Sequence, residues 1–204
     1  IKKTIGIMAV AAVAMSSATA QQPVDYVNPI IGTNGMGHTF PGACTPFGCI
    51  QLSPDTDTIP HNINGAYQKN AYEYCAGYQY RDKTIVGFSH THLSGTGHSD
   101  LGDILLMPAT GALKLSPGRA DHPDEGYRSR FSHATEKATP GYYEVMLDDY
   151  GIKAQLTATQ RVGVHKYTFP KGKDGHLILD LVHGIYNYDG KVLWANLRVE
   201  NDTL

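Results

Sequence analysis

The chain lacks the residue patterns that mark several common classes of protein. Its net charge is −2 with histidine counted as neutral, and it contains no basic cluster, which argues against nucleic acid or an anionic membrane as a partner. Cysteine occurs three times and never in the C-x-x-C spacing of structural zinc sites. No nucleophile elbow, phosphate loop or dinucleotide fingerprint is present, and no long stretch has the apolar period of a helix.

The first twenty residues have the composition of an export signal. Two lysines precede an apolar run, Ile5–Met15, which is too short to cross a bilayer, and residues 18–20 complete an A-x-A cleavage site. We predict a signal peptide at 1–20 and a short linker at 21–24, with a buried N-terminal helix as the alternative. No cysteine follows the cleavage site directly, so we expect a soluble periplasmic or secreted protein rather than a lipoprotein.

The three cysteines leave two arrangements open. Export permits a disulfide between Cys44 and Cys49, which would leave Cys75 free. Three unpaired and partly buried thiols fit the sequence equally well.

The mature chain is predicted to be all-β, as an antiparallel β-sandwich over residues 25–204. Apolar side chains alternate over Tyr143–Leu147 and again over Ile152–Ala158. The sequence DDYG at 148–151, between these two strands, is typical of a hairpin turn. Successive short strands joined by short turns favour a sandwich over an α/β fold.

Three later segments complete the strand prediction. Val162 and Val164 share a face, but the alternation resumes out of phase at Tyr167, which predicts a bulge. The continuous apolar run His176–Val182 predicts a strand covered on both sides, and Val192–Val199 alternates as a further strand. Only a short turn and two residues follow that strand, so we expect the sandwich to be incomplete at its C-terminal end.

The segment Gly87–Asp103, GFSHTHLSGTGHSDLGD, concentrates groups with acid–base and ligand chemistry among glycines that permit sharp bends. On a strand, His90 and His92 would face the same way, as metal-binding H-x-H pairs do, and the two aspartates of the segment would add oxygen ligands. The alternative, which we favour, is that these histidines donate hydrogen bonds that hold the loop or line a pocket, with His98 exposed.

A second cluster, Ala71–Tyr80, is rich in tyrosine. Its four tyrosines alternate around a cysteine and a glycine, and the six residues are Tyr72, Tyr74, Cys75, Gly77, Tyr78 and Tyr80. A tyrosine ring has an apolar face and a polar tip, which suits a sugar ligand. The alternative is a strand packed on both faces, with half of the tyrosines in the core.

Two acidic motifs have structural interpretations. Asp55 and Asp57 resemble a pair of carboxylates, but Pro54 beside them favours a turn. Asp180 and His183, in the sequence DLVHG, are expected at the end of a strand, where they would support the fold.

Taken together, these segments resemble glycoside hydrolase family 92. The resemblance runs from Asp25 to the last residue, and the segments that carry it are Tyr26–Thr33, Phe40–Gly48, Gln51–Thr56, Cys75–Tyr80, Val86–Pro108 and Pro140–Tyr143. The family comprises exported, calcium-dependent exo-α-mannosidases. The resemblance implies an N-terminal β-sandwich followed by an (α/α)6 barrel, with the active site between them. It also implies inversion, with the acid, the base and the calcium site all supplied by the barrel, so no catalytic residue or metal ligand is expected here.

Two family positions are carried over residue by residue. Gly42 matches the glycine of the PGA segment that approaches the sugar cleaved from the glycan. Tyr72 stands where α-1,2-specific members have a tryptophan facing the leaving sugar, and this departure puts that preference in doubt. The stretch Asp57–Asn70 before it is longer than in the family. The residues expected to bind substrate are Gly42, Tyr72, Tyr74, Cys75, Gly77, His90 and His92.

The leading hypothesis is therefore the substrate-shaping domain of a secreted α-mannosidase that degrades mannose-containing glycans such as N-glycans, with the barrel as its partner. A free-standing carbohydrate-binding sandwich without catalysis is the first alternative, and a cupin-like metalloenzyme using His90 and His92 is the second. The sequence downstream of the domain distinguishes the mannosidase domain from the free-standing module. Stoichiometric transition metal in the purified protein would identify the metalloenzyme.

Overall fold

A computed structural model describes residues 21–60, 62–95, 101–185 and 191–200. The predicted signal peptide and His98 lie outside these ranges. The strands are β1 (Ala43–Cys44), β2 (Gln51–Asp55), β3 (Asn62–Ile63), β4 (Ala66–Tyr67), β5 (Thr84–Ile85), β6 (Gly87–Ser89), β7 (Leu105–Thr110), β8 (Ser129–Arg130), β9 (Lys137–Thr139), β10 (Tyr142–Leu147), β11 (Ile152–Ala158), β12 (Gly163–Thr168) and β13 (Gly175–Asp180). Short 3₁₀ segments cover Pro23–Tyr26, Gly35–Gly37, Lys69–Tyr74 and Pro123–Glu125.

Two antiparallel sheets form the body of the domain. One has the strand order β1-β2-β6-β7-β13 and the other the order β12-β11-β10-β9, while β3–β4 and β5–β8 are separate two-stranded ladders. Side chains from both large sheets share one hydrophobic core, with Leu52, Phe88 and Met107 from the first and Val145 and Leu156 from the second. The predicted all-β, antiparallel sandwich is confirmed.

The hairpin β10–β11 follows the predicted alternation. Tyr143, Val145 and Leu147 are buried, and the residues between them are partly exposed. Such alternation buries one face of a strand and leaves the other to polar side chains. The turn closes where the Gly151 amide donates to the Leu147 carbonyl at 2.8 Å, with Gly151 at a φ of +66° that favours glycine.

The predicted bulge in β12 is wrong. Strand β12 pairs residue for residue with β11, from Thr168 opposite Lys153 to Gly163 opposite Ala158. The inward-facing residues are His165 and Tyr167, whereas Val164 is exposed. The prediction took the alternation of apolar side chains from the valines, whereas the inner face of β12 carries a histidine and a tyrosine.

Two further strand predictions need correction. Within the described residues, strand β13 pairs only with β7 and lies at the edge of its sheet, and its Leu177 is exposed, so it is not covered on both sides. Residues 192–199, all described, form no strand, and Leu193, Trp194 and Leu197 are exposed. Alternation alone supplies no partner strand, and without one a backbone cannot form a ladder.

None of the three cysteines forms a disulfide; Cys75 is buried, Cys44 is partly buried and Cys49 is exposed. The predicted alternative of a Cys44–Cys49 disulfide is therefore wrong, and the alternative without a disulfide is confirmed. No helix in the described ranges is long and apolar enough to cross a membrane.

The orientation of β12 can be tested with two matched substitutions. Leu156→Ala on β11 should lower the free energy of unfolding by about 2–5 kcal/mol, because it leaves a cavity between the sheets. Val164→Ala on β12 should cost less than about 1 kcal/mol, since that side chain is exposed. Urea unfolding followed by circular dichroism measures both. Equal losses would contradict the inward placement of His165 and Tyr167.

Candidate functional site

A buried polar site is built around Asp55, the last residue of β2. Its side chain has no exposure to solvent. Its Oδ1 accepts a hydrogen bond from Nε2 of His92 at 2.8 Å, and its Oδ2 accepts one from Nε2 of His183 at 2.8 Å. The carboxylate is therefore enclosed between two imidazole rings that come from distant parts of the sequence.

The charge on Asp55 is maintained by these two histidines. Burial by itself would raise the pKa of the carboxyl, but the charge of His92 and the hydrogen bonds from His183 and His92 hold the pKa of Asp55 well below its usual range. A buried carboxylate persists only where it is paired and hydrogen-bonded in this way.

His92 donates from both ring nitrogens. Its Nδ1 lies 2.7 Å from the carbonyl oxygen of Gln51, and its Nε2 lies within hydrogen-bonding distance of Asp55 and, at 3.1 Å, of the Ser89 hydroxyl. A carbonyl and a carboxylate only accept, so the ring carries both protons and a positive charge. Asp55 and His92 thus form an ion pair from which water is excluded.

Gly77 closes this ion pair from one side. Its φ is +78°, and a Cβ at this position would overlap Oδ1 of Asp55. The Gly77 carbonyl also accepts a hydrogen bond from the amide of Thr56 at 2.9 Å. The glycine of the tyrosine-rich cluster is therefore required by the carboxylate that it covers.

His183 is positioned by the end of β13, as the DLVHG motif predicts. The Oδ1 of Asp180 accepts hydrogen bonds from the amides of Val182 at 2.8 Å and His183 at 2.9 Å. Its Oδ2 accepts one from the hydroxyl of Tyr127 at 2.7 Å. This Asx-type turn bends the chain so that the imidazole reaches Asp55.

His90 and His92 do not share a face. Strand β6 ends at Ser89, so the H-x-H pair lies beyond the strand. The Nδ1 of His90 lies 2.6 Å from the Ile104 carbonyl, and its Nε2 lies 3.1 Å from Nε2 of His165. The same-face prediction is wrong, and no group of three or more His, Cys, Asp or Glu in the described part of the chain could hold a metal ion.

The loop after β6 is closed by hydrogen bonds of Thr91, which lies between His90 and His92. The hydroxyl of Thr91 donates to Oδ2 of Asp103 at 3.0 Å and accepts from the amides of Gly102 at 3.2 Å and Asp103 at 3.0 Å.

Burial, and then the neighbouring His90, lower the pKa of His165 to about 4, so this ring is neutral at pH 7.

The tyrosine-rich cluster is not a strand. Its first half is the 3₁₀ segment Lys69–Tyr74, and turns follow. Tyr74 and Tyr78 are buried, and their hydroxyls donate to Asp82 and Glu136, respectively. Half of the tyrosines therefore lie in the interior, as the packing alternative predicts, but on a different element.

Gly42 is also buried. A Cβ at this position would overlap the carbonyl oxygen of Leu52 and the Cα of Ser53 on β2. The missing side chain therefore permits close approach to that strand. Contact of Gly42 with a sugar stays a prediction.

A surface pocket of about 570 Å³ opens beside the cluster. Its lining residues are Met36, Tyr67, Lys69, Asn70, Tyr72 and Glu73. Tyr72 is 36% exposed, and its ring packs edge-on against His38, with ring centroids 4.6 Å apart. This volume lies within the range of about 300–1,000 Å³ that is usual for small-molecule sites.

The seven residues predicted to bind substrate lie in different environments. Tyr72 lines the pocket and His90 is partly buried, whereas the other five are buried, namely Gly42, Tyr74, Cys75, Gly77 and His92. The sequence around Pro54 favours a turn at Asp55, whereas the structure places this residue at the centre of the buried polar site. The only signal that could have found it was its place in the segment QLSPDT, which carries the family resemblance.

Comparison with known proteins agrees with this architecture. The sequence-family model of the glycosyl hydrolase family 92 N-terminal domain matches residues 26–204. A family 92 α-mannosidase from Bacteroides thetaiotaomicron, solved in complex with mannoimidazole, is 47% identical, with a TM-score of 0.73 over 80% of this chain and 20% of that chain. A family 92 inverting mannosidase from the same organism is 32% identical, with a TM-score of 0.60 over 79% of this chain and 20% of that one.

A curated relative points the same way. A protein from Arthroderma benhamiae described as an uncharacterized secreted glycosidase is 29% identical over 171 residues, which are 82% of this chain and 20% of that protein. The chain therefore spans about a fifth of the length of these relatives. Fold and comparisons together define a glycosidase β-sandwich. The chain belongs to glycosyl hydrolase family 92 and corresponds to its N-terminal domain.

Removing the charge of Asp55 should destabilise the domain strongly. Asp55→Asn leaves the His92 imidazolium buried without its counter-ion, a change that typically costs about 3–5 kcal/mol. Because folding lowers the pKa of Asp55, its contribution is complete above the pKa of an unfolded aspartate and is lost as the pH falls. The difference in stability between wild type and variant should therefore narrow below about pH 4.

Urea unfolding at a series of pH values measures this difference. Asp121→Asn is the matched control, since Asp121 pairs with Arg119 at 3.0 Å on the exposed surface and its loss should not change stability measurably. A pH-independent difference for Asp55→Asn would contradict the buried ion pair.

Proposed function

We propose that the chain is the substrate-shaping N-terminal domain of an exported exo-α-mannosidase that releases terminal α-linked mannose from glycans with inversion. The observation that carries this proposal is the 47% identity to a solved family 92 α-mannosidase across 80% of the chain. Export is supported by the signal-like composition of residues 1–20 and by the Arthroderma benhamiae relative that is described as secreted.

In this proposal the domain binds and positions the glycan. Tyr72 is the residue best placed to contact it, because its ring is exposed in the pocket and braced by His38. An aromatic face in a pocket with a few polar groups is well suited to a pyranose ring, which has apolar C–H faces and hydroxyl edges. The buried ion pair of Asp55 and His92 would keep the neighbouring segments rigid.

The bond-breaking groups are proposed to lie outside this chain. An inverting glycosidase needs an acid and a base about 6.5–9.5 Å apart, with a water molecule between them. The family resemblance assigns both carboxylates, and the calcium ligands, to a helical barrel. Calcium bound in that barrel would contact sugar hydroxyls through its oxygen-rich shell.

Activity measurements on two proteins test whether the catalytic groups lie outside this domain. The whole enzyme should release mannose from α-mannosides, with inverted anomeric configuration seen by NMR and with loss of activity after chelation of calcium. A protein comprising residues 21–204 should release none, because it lacks both catalytic carboxylates. Calcium-dependent release of mannose by the shorter protein would overturn the proposal.

The role of Tyr72 is tested in the whole enzyme. Tyr72→Ala should lower kcat/KM for α-mannobiose about 5–150-fold, the effect of losing an aromatic contact worth roughly 1–3 kcal/mol. An aryl α-mannoside should lose less, because its leaving group occupies the site differently. Tyr72→Phe keeps the ring and should remain close to wild type. Equal losses on both substrates, or none, would make Tyr72 a packing residue.

A further inference from the structure

The pocket beside Tyr72 has three walls that come from separate segments. Met36 lies in the 3₁₀ segment Gly35–Gly37, and Tyr72 lies in the 3₁₀ segment Lys69–Tyr74. The third wall is Tyr67 at the end of the β3–β4 hairpin, in which Asn62 pairs with Tyr67. This hairpin lies within the stretch Asp57–Asn70, so a local ladder gives that stretch a defined shape next to the pocket.

The buried amide of Gln79 joins two of these walls. Its Oε1 accepts from the Gly35 amide at 2.7 Å, and its Nε2 donates to the Gly35 carbonyl at 3.0 Å and to the carbonyl of Glu73. The amide of Gln79 itself donates to the hydroxyl of Thr56 at 3.0 Å. The pocket is thus held open by hydrogen bonds within the protein, which lowers the cost of ordering it on binding.

The lining points to a neutral ligand with both apolar and hydroxyl surfaces. Tyr67 and Tyr72 offer two aromatic rings, 55% and 36% exposed. Lys69 and Glu73 carry opposite charges, and Glu73 is further neutralised by an ion pair with Arg81. The side chain of Asn70 adds an amide that both donates and accepts. A pyranose ring of a neutral glycan presents the matching groups.

We propose that the β3–β4 hairpin forms a binding site for a second sugar residue of the glycan, the one beyond the leaving sugar, and that Tyr67 is the residue on which it stacks. The inference rests on the proposed function, in which Tyr72 contacts the leaving sugar. One sugar ring covers one face of an aromatic side chain. The two tyrosine rings of the pocket can therefore stack against two linked sugars. The hairpin would then make the enzyme prefer longer chains over disaccharides.

The test compares substrates of different length in the whole enzyme. Tyr67→Ala should lower kcat/KM for α-linked mannotriose about threefold to tenfold, because it removes one aromatic contact at a partly exposed site. The same variant should leave α-mannobiose and an aryl α-mannoside unchanged, because neither reaches the hairpin. Tyr67→Phe keeps the ring and should restore the preference for mannotriose. Tyr26→Ala, which removes an exposed tyrosine outside the pocket, is the matched control.

The outcomes separate the two proposals. If the wild-type enzyme releases no mannose from any of the three substrates, the proposed function fails. If it releases mannose but Tyr67→Ala affects all three substrates equally, or none, the second sugar site is overturned while the activity stands. A selective loss on mannotriose that Tyr67→Phe reverses and Tyr26→Ala does not reproduce is the expected result.

Discussion

The carboxylate of Asp55 has no contact with water, and the surrounding chain is arranged to compensate for its charge. It brings together β2, the loop after β6 and the segment after β13, because Asp55, His92 and His183 must meet at one point. Strands β2 and β13 are separated by two others in their sheet, so this contact ties one side of the sheet to its far edge. Buried charges demand specific partners, and this demand selects one arrangement of loops over others of similar hydrophobicity.

The buried site and the surface pocket are mechanically linked. Gly77 covers Asp55, and Gln79, two residues later, holds the walls of the pocket. Thr56 connects the two, since its amide donates to the Gly77 carbonyl and its hydroxyl accepts from the Gln79 amide. Hydrogen bonds along a short stretch of backbone therefore connect the buried ion pair to the walls of the pocket. Several residues expected to touch substrate are buried, and their position suits them to hold that surface in place.

The sequence predicts the sandwich because alternation in β10 and β11 reports directly which face is buried. It fails where polar or aromatic residues take that face, as His165 does in β12, and where a pattern has no partner strand, as at 192–199. Asp55 escapes sequence reasoning because Pro54 argues against a strand. In the fold, β1 pairs only as far as Leu52, so Pro54 has a neighbouring strand on one side alone and no hydrogen bond to lose there. Long-range pairs such as Asp55 with His183 leave no local pattern.

The close contact between Gly77 and Asp55 also limits how this domain can diverge. Any side chain at 77 would occupy the space of the carboxylate, and the positive φ adds a strain that most residues avoid. Shortening residue 55 would make room, but it would leave the imidazolium of His92 without a counter-charge. A single substitution at position 55, 77 or 92 is therefore expected to be harmful, whereas replacing all three residues together could be tolerated. In related chains we expect these three identities to be inherited together or lost together.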